Sequence, residues 1–151
     1  MNAKTKSLNE QGVSLWLDNI TRKILNDGTL EKYINDLSVT GLTSNPTIFD
    51  NAITKSKDYD QSIRESEKYL SSEELFFNLA VEDIQRAADL FLPVYERTNG
   101  VDGFVSIEVS PLLAYDTEST INAAEAIYEK VKRPNAFIKI TGTAEGLPAI
   151  E

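Results

Sequence analysis

Residues 104–110 read FVSIEVS, a short run in which aliphatic side chains alternate with polar ones. Successive side chains of a β-strand point to opposite faces of the sheet, so Val105 and Ile107 share one face while Ser106 and Glu108 share the other. Glutamate is depleted in strands, so Glu108 needs a specific explanation. The run predicts a strand whose apolar face packs under helices and whose polar face carries candidate site residues.

The same alternation occurs in two other runs. Residues 13–18, VSLWLD, bring Asp18 to the polar face of a first strand, and residues 136–140, AFIKI, bring Lys139 to the polar face of a fourth. Residues 38–43 form the predicted second strand, which ends before a proline-containing turn. One ionisable group therefore stands on the polar face of each of three predicted strands.

Helical patterns separate these strands. Residues 30–37 place apolar side chains on one helix face, and Ser71–Glu74 match a capping box at the start of a long helix. Asp116 or Thr117 can cap the helix before the fourth strand, and residues 47–69 also have helical character. Strands that alternate with helices predict right-handed βαβ units and a parallel sheet.

The charged face narrows the fold class. An open, doubly wound parallel sheet is apolar on both faces, whereas a barrel can direct polar side chains toward a site at the carboxyl ends of its strands. We therefore predict an α/β fold, a parallel (β/α) barrel of the TIM type of which about the first four βα units are present. Residues 1–12 form a loose polar leader, and residues 13–151 form this half-barrel. Open sheet edges invite self-association or pairing with another chain.

Composition excludes several kinds of chemistry on this chain. The 151 residues contain neither Cys nor His, which rules out thiol nucleophiles, disulfides and any Ser-His-Asp triad. Fifteen Lys and Arg against 24 Asp and Glu give a net charge of −9, which argues against non-specific nucleic-acid binding. No apolar run approaches the ~20 residues of a membrane span. The missing Cys and the polar first dozen residues lead us to expect a cytoplasmic protein.

Lys139 is the strongest single candidate for catalysis. It lies in a run without another charge, and a low-dielectric interior favours the neutral amine, which can attack a carbonyl and form a Schiff base. Asp18 and Glu108 could move the protons of that reaction. Structural alternatives remain open for all three residues. Lys139 could form a buried salt bridge, or extend from the strand end to solvent. Asp18 could be a helix N-cap, and Glu108 could be an ion-pair partner of Lys139.

A polar cluster, Thr43-Ser44-Asn45-Pro46-Thr47, lies at the end of the second predicted strand. Its hydroxyl and amide groups could orient a polyol substrate. The alternative is a turn with a helix cap, which the same residue types favour.

Five segments occur together in an order typical of one known family. They are residues 14–19 (SLWLDN), 41–50 (GLTSNPTIFD), 105–111 (VSIEVSP), 137–140 (FIKI) and 146–151 (GLPAIE). On these segments the sequence resembles transaldolase, most closely the longer bacterial form. The resemblance runs from about Val13 to the last residue.

The resemblance implies a (β/α)8 barrel that uses neither a metal nor an organic cofactor. The family reaction moves a dihydroxyacetone unit from sedoheptulose 7-phosphate or fructose 6-phosphate to an aldose phosphate, in the pentose phosphate pathway. Carried over residue by residue, the resemblance implies that Lys139 forms the Schiff base and that Asp18 is the acid–base group in carbon–carbon cleavage. Glu108 would act through a water molecule, and Asn45 would hydrogen-bond the sugar.

The sequence departs from the family pattern in two ways. Thr141 stands where the family usually has proline, and the chain is shorter than the ~250 residues of a whole barrel. We therefore expect the isolated chain to be inactive or very slow. Two other functions remain open: a related Schiff-base sugar-phosphate aldolase, and a non-catalytic half-barrel that serves as an interaction module.

Overall fold

The computed structural model describes residues 2–151 as a four-stranded parallel sheet with seven α-helices. The strands are β1 (Leu15–Asp18), β2 (Val39–Thr43), β3 (Val105–Glu108) and β4 (Ala136–Lys139). The helices are α1 (Ala3–Glu10), α2 (Arg22–Asn26), α3 (Thr29–Leu37), α4 (Pro46–Lys55), α5 (Asp60–Ser66), α6 (Ser72–Arg97) and α7 (Thr117–Val131). Short 3-10 turns span Pro111–Leu113 and Leu147–Ala149.

The strands stand in the sheet in the order in which they occur along the chain, β1-β2-β3-β4. All three pairings are parallel. A sheet wound in one direction in this way is typical of a (β/α) barrel, because doubly wound sheets reverse their strand order at a switch point. The predicted α/β class with a parallel sheet is confirmed, and the chain forms part of such a barrel.

The hydrophobic core lies between one face of the sheet and the helices. Val105 and Ile107 of β3 and Leu42 of β2 pack there with Ile84 and Phe91 of the long helix α6. Burying these side chains supplies the main driving force for folding. The alternation in residues 104–110 therefore predicted the packed face of the sheet correctly.

The opposite face of the sheet is open. Trp16 of β1 is 39% exposed and Phe137 of β4 is 46% exposed, although both are large aromatic residues. Ser106 lies on the same face, as the alternation predicts, but is buried. The open face thus carries aromatic and polar groups side by side.

The leader, expected to be loose, contains helix α1. The Asn2 side chain accepts hydrogen bonds from the backbone amides of Lys4 and Thr5, at 3.0 and 3.4 Å, which caps the helix. Lys6 and Glu10 form an i, i+4 ion pair at 3.4 Å. No residue of α1 is buried, so the helix is held by local capping and pairing and by a hydrogen bond from the Asn2 amide to the Asp36 carbonyl at 2.5 Å.

Residues 47–69 form two helices, and the intervening turn breaks the single helical stretch that the sequence suggests. Ser56 is extended, and its hydroxyl accepts from the Asp58 amide at 3.0 Å. The chain then turns Tyr59 into the interior, where its hydroxyl donates to Asp83 at 2.7 Å. The Arg22 side chain donates to the same carboxylate at 3.0 Å. These long-range contacts override the local helical tendency.

Residues 145–151 hold only the 3-10 turn Leu147–Ala149. Within residues 2–151, no helix combines the length and the apolar character needed to cross a lipid bilayer. The longest helix, α6, carries several charged residues along its 26 positions.

Candidate active site

The last residue of every strand is polar. Asp18 ends β1, Thr43 ends β2, Glu108 ends β3 and Lys139 ends β4. The strands are parallel, so these four side chains stand at the same edge of the sheet, where (β/α) barrels place their active sites. In register, Asp18 lies opposite Thr43, and Glu108 lies opposite Lys139.

Lys139 and Glu108 form an ion pair, with Lys139 Nζ 3.1 Å from Glu108 Oε2. The side chains are 38% and 24% exposed respectively, so the pair is partly desolvated and still reachable from solvent. Lys139 Nζ also donates to the backbone carbonyl of Ser44 at 2.7 Å. The alternative that Glu108 is the ion-pair partner of Lys139 is therefore confirmed, and the same contact allows proton exchange between the two groups.

The prediction that Ser44 orients a bound polyol does not agree with its position. Its side chain is completely buried, and its hydroxyl donates to the backbone carbonyl of Ser106 at 2.7 Å. A group enclosed in this way cannot reach a substrate. Ser44 contributes to the site through its carbonyl, which holds the amine of Lys139.

Thr43 is half-buried beside this network, and its hydroxyl accepts from the Ser106 hydroxyl at 3.0 Å. This bond joins the ends of β2 and β3 below the charged pair. Sequence alternation puts Ser106 on the polar face, but nothing in the sequence shows that it bonds Thr43.

Asn45 is the N-cap of α4, and its Oδ1 accepts from the Ile48 amide at 2.9 Å. The helix-cap alternative is confirmed for this residue. Pro46 occupies the first turn of α4, where its missing N–H costs nothing and its fixed φ suits a helix. Asn45 is only half-buried, so capping leaves part of its side chain facing the site.

Asp18 is exposed and does not cap α2, since that N-cap is Thr21. The helix-cap alternative for Asp18 is therefore wrong. Asp18, Asn45 and Glu108 line one cleft of about 560 Å³, which is large enough for a small sugar phosphate. Lys139 does not line this cleft. The Lys139 amine contacts Glu108, however, and Glu108 is one of the lining residues.

The cleft offers two carboxylates, an amide and a neighbouring amine, a set suited to Schiff-base and acid–base chemistry. A larger hollow of about 1120 Å³ lies against α6 and α7, but none of the strand-end residues lines it. Within residues 2–151, no group of three or more acidic side chains could hold a metal ion.

Three residues at this face were not selected as site residues from the sequence. Pro46 and Pro111 shape the cleft wall, and Gly41 of β2 lies beneath the ring of Trp16. The segments that contain them could be found by motif, but their closeness to Asp18 and Glu108 depends on strand register.

A family model described as transaldolase/fructose-6-phosphate aldolase matches residues 15–151 of this chain. The transaldolase of Arthrobacter sp. (strain FB24) is 48% identical over 151 residues, which is 99% of this chain and 41% of that protein. The transaldolase of Saccharopolyspora erythraea is 45% identical over 150 residues, 99% of this chain and 40% of that protein.

A third relative is similar over most of the chain. Transaldolase 2 of Nostoc sp. (strain PCC 7120) is 42% identical over 145 residues, 95% of this chain and 38% of that protein. The chain thus spans about two fifths of the length of the curated relatives it matches.

Proposed function

The chain belongs to the transaldolase/fructose-6-phosphate aldolase family, and from that premise we propose that Lys139 forms the Schiff base of a transaldolase reaction. The observation that carries the proposal is the 3.1 Å contact between Lys139 Nζ and Glu108 Oε2 at the carboxyl ends of the strands. A second carboxylate, Asp18, lines the cleft beside Glu108. The three roles are those that the family resemblance implies.

The first step forms the imine. Glu108 takes a proton from the Lys139 ammonium, directly or through a water molecule, and the freed amine attacks the ketone carbon of the sugar. The resulting carbinolamine loses its hydroxyl group as water, with Glu108 returning the proton, and an iminium ion remains on Lys139. General acid–base assistance of this kind contributes typically ~10²–10⁴-fold in rate.

The second step breaks the carbon–carbon bond. Asp18 accepts the proton of the hydroxyl on the carbon that lies at the far end of the breaking bond from the iminium ion, and that carbon becomes the aldehyde group of the leaving fragment. The bonding electron pair moves into the iminium ion, which becomes an enamine and holds the three-carbon unit. Addition to an aldose phosphate and hydrolysis of the new imine complete the transfer. Asn45 would hydrogen-bond the sugar within the cleft.

The proposed substrates are a ketose phosphate, fructose 6-phosphate or sedoheptulose 7-phosphate, and an aldose phosphate acceptor. Such a reaction belongs to the pentose phosphate pathway, and we place the protein in the cytoplasm. The complete absence of Cys is consistent with a reducing compartment.

We also propose that the 151-residue chain alone turns over slowly and associates with a second copy. The exposure of Trp16, Phe137 and Lys139 supports this, because water reaches the face on which the iminium ion would form. Pairing of the open face or of the β1 and β4 edges would shield it.

Borohydride trapping tests the proposed function. The folded chain is incubated with fructose 6-phosphate and sodium borohydride, and modified peptides are located by mass spectrometry. We expect one reduced adduct, on Lys139, which is lost in Lys139→Ala and retained in the control Lys55→Ala on the exposed surface of α4. A folded chain that gains no adduct, or gains it elsewhere, would support the non-catalytic interaction module.

An aldolase that cleaves the sugar without transfer is the second candidate, because the matching family description includes fructose-6-phosphate aldolase. Product analysis separates the two. Transaldolase activity requires an added aldose phosphate to release a new ketose phosphate, whereas an aldolase releases free dihydroxyacetone without it.

A further inference from the structure

Trp16 lies below the candidate acid–base residue. It is two residues before Asp18 on β1, so both side chains are on the open face and Trp16 is about 7 Å deeper in the sheet. It is the only tryptophan in the sequence. At 39% exposure, its indole is a solvent-reachable apolar surface directly beneath a polar strand end.

The indole covers Gly41 of β2, its register partner. A Cβ added to Gly41 would clash with Cε2, Cδ2 and Nε1 of the Trp16 ring, because all three atoms would be closer to it than real Cβ contacts. The ring therefore occupies the space that any larger residue at position 41 would fill. Gly41 has an ordinary negative φ, so its small size is needed here for packing and not for a turn.

Phe104, the residue before β3, continues this apolar layer next to Gly41. The rings of Phe104 and Phe137 stack with centroids 3.9 Å apart and planes 11° from parallel. Phe104 precedes β3 and accepts a hydrogen bond from the Leu42 amide at 3.0 Å, which places it beside Gly41 on the neighbouring strand. Phe137 is the register partner of Ser106, so it lies one layer nearer the carboxyl ends of the strands than Phe104.

The hydrogen-bonded hydroxyls of Thr43 and Ser106 belong to the next layer toward the carboxyl ends of β2 and β3. Asp18, Glu108 and Lys139 complete the polar strand ends. A sugar on Lys139 that extends past the hydroxyls of Thr43 and Ser106 would reach the indole of Trp16, which lies outside the lining of the cleft.

We propose that Trp16, held flat over Gly41, is a positioning residue that supports the sugar bound to Lys139 from below. The inference rests on the proposed Schiff-base function and adds a residue to it. The indole presents a rigid face to the carbon chain of the sugar, restricts where the chain can settle, and excludes water from that side.

Acrylamide quenching of Trp16 fluorescence tests the position of the sugar. The chain is studied at a concentration at which sedimentation shows a monomer, before and after fructose 6-phosphate is locked onto Lys139 with borohydride. We expect the quenching constant to fall about twofold, because the locked sugar shields the indole from the solvent. An unchanged quenching constant on fully modified protein would overturn the inference.

Substitutions test whether the indole positions the sugar. We expect Trp16→Ala to slow adduct formation about tenfold, and Trp16→Phe to restore most of the rate by retaining an aromatic face. Gly41→Ala should slow it too, since the new methyl displaces the ring. Tyr69→Ala, at an 82% exposed aromatic residue in the segment between α5 and α6, serves as the control. Far-UV circular dichroism establishes that each variant is folded.

The outcomes separate the two proposals. Absence of any adduct on the folded wild-type chain refutes the Schiff-base function, and the inference with it. A normal adduct on Lys139 that forms equally fast in Trp16→Ala leaves the function standing and refutes the role of Trp16. Equal slowing in Trp16→Ala and Trp16→Phe also contradicts it, because the proposal requires rescue by a second aromatic ring.

Discussion

The Asn45 side chain has two roles on two atoms: its oxygen caps a helix, and its amide nitrogen is the proposed donor to the sugar. Its Oδ1 caps α4 by accepting from the Ile48 amide at 2.9 Å, while its amide nitrogen donates to no group within residues 2–151. The residue lines the cleft together with Asp18 and Glu108. Structural and functional interpretations of Asn45 are therefore compatible, and substitutions can separate them.

We predict that Asn45→Asp keeps the stability of the chain but weakens capture of the sugar. Aspartate caps helices as well as asparagine does, whereas it lacks the N–H donor. Asn45→Ala should lose both functions, with a stability cost of about 1 kcal/mol. Urea unfolding gives the stability, and the dependence of trapping on fructose 6-phosphate concentration gives the affinity. Wild-type affinity in Asn45→Asp would show that Asn45 is only a cap.

Among the secondary-structure elements, helix α7 has an acidic N-cap, Asp116. Asp116 accepts from the Ser119 amide at 3.0 Å and from the Ser119 hydroxyl at 2.8 Å. The bond from the Ser119 backbone amide holds the pKa of Asp116 below its usual value of 3.8. Because the folded state favours the carboxylate, Asp116 stabilises α7 fully above that value, and this contribution is lost as the pH falls through the lowered pKa.

We predict that Asp116→Asn removes this acid sensitivity at little cost near neutral pH, because asparagine also caps helices. Urea unfolding midpoints are compared for wild type and variant at neutral pH and at pH values below the usual carboxyl range. The wild type should lose more stability than the variant on acidification. Parallel pH curves for the two proteins would contradict the prediction.

The buried hydroxyl of Tyr59 connects the turn between α4 and α5 to helices α2 and α6. Tyr59 OH accepts from the Arg22 backbone amide at 3.0 Å and donates to Asp83 Oδ2 at 2.7 Å. The Arg22 guanidinium lies 4.5 Å from the centroid of the Tyr59 ring. Burial, together with the Asp83 carboxylate, raises the pKa of Tyr59, so the hydroxyl stays a donor at neutral pH.

We predict that Tyr59→Phe destabilises the chain by about 2 kcal/mol, because a buried amide and a buried carboxylate each lose a partner. Tyr69→Phe, at an exposed position, is the matched control and should change stability little. Urea unfolding measures both variants. Equal stability of Tyr59→Phe and wild type would show that Arg22 alone satisfies Asp83.

For the molecule as a whole, the two faces of the sheet have opposite environments. One face is closed by α6 and its neighbours, and the other leaves Trp16 and Phe137 exposed beside the charged strand ends. The strands β1 and β4 each pair on one side only. Exposed aromatic surface and unpaired strand edges favour association.

We predict that the weight-average mass of the chain in sedimentation rises with concentration. Phe137→Glu should weaken this association, because it places a charge on the open face of a chain whose net charge is already −9. Tyr69→Glu adds the same charge at an exposed aromatic residue of another surface and should have less effect. Equal self-association of both variants would exclude the open face as the contact.

The sequence alone determined the parts of this protein that depend on local periodicity. Alternation identified three of the four strands and the packed face of the sheet. The sequence also predicted the cap of α6 at Ser71 and limited the cap of α7 to Asp116 or Thr117, of which the structure has Asp116. These features are predictable because a strand alternates every two residues and a helix cap lies within one turn of the groups that it satisfies.

Only the tertiary structure decided which distant groups meet. Lys139 Nζ reaches the carbonyl of Ser44 across 95 positions of the chain, and Trp16 lies over Gly41 on the neighbouring strand. The burial of Ser44 and the break at Tyr59 likewise follow from partners on other elements. Such contacts depend on sheet register and helix packing. These are set by many residues together, so no local sequence pattern encodes them.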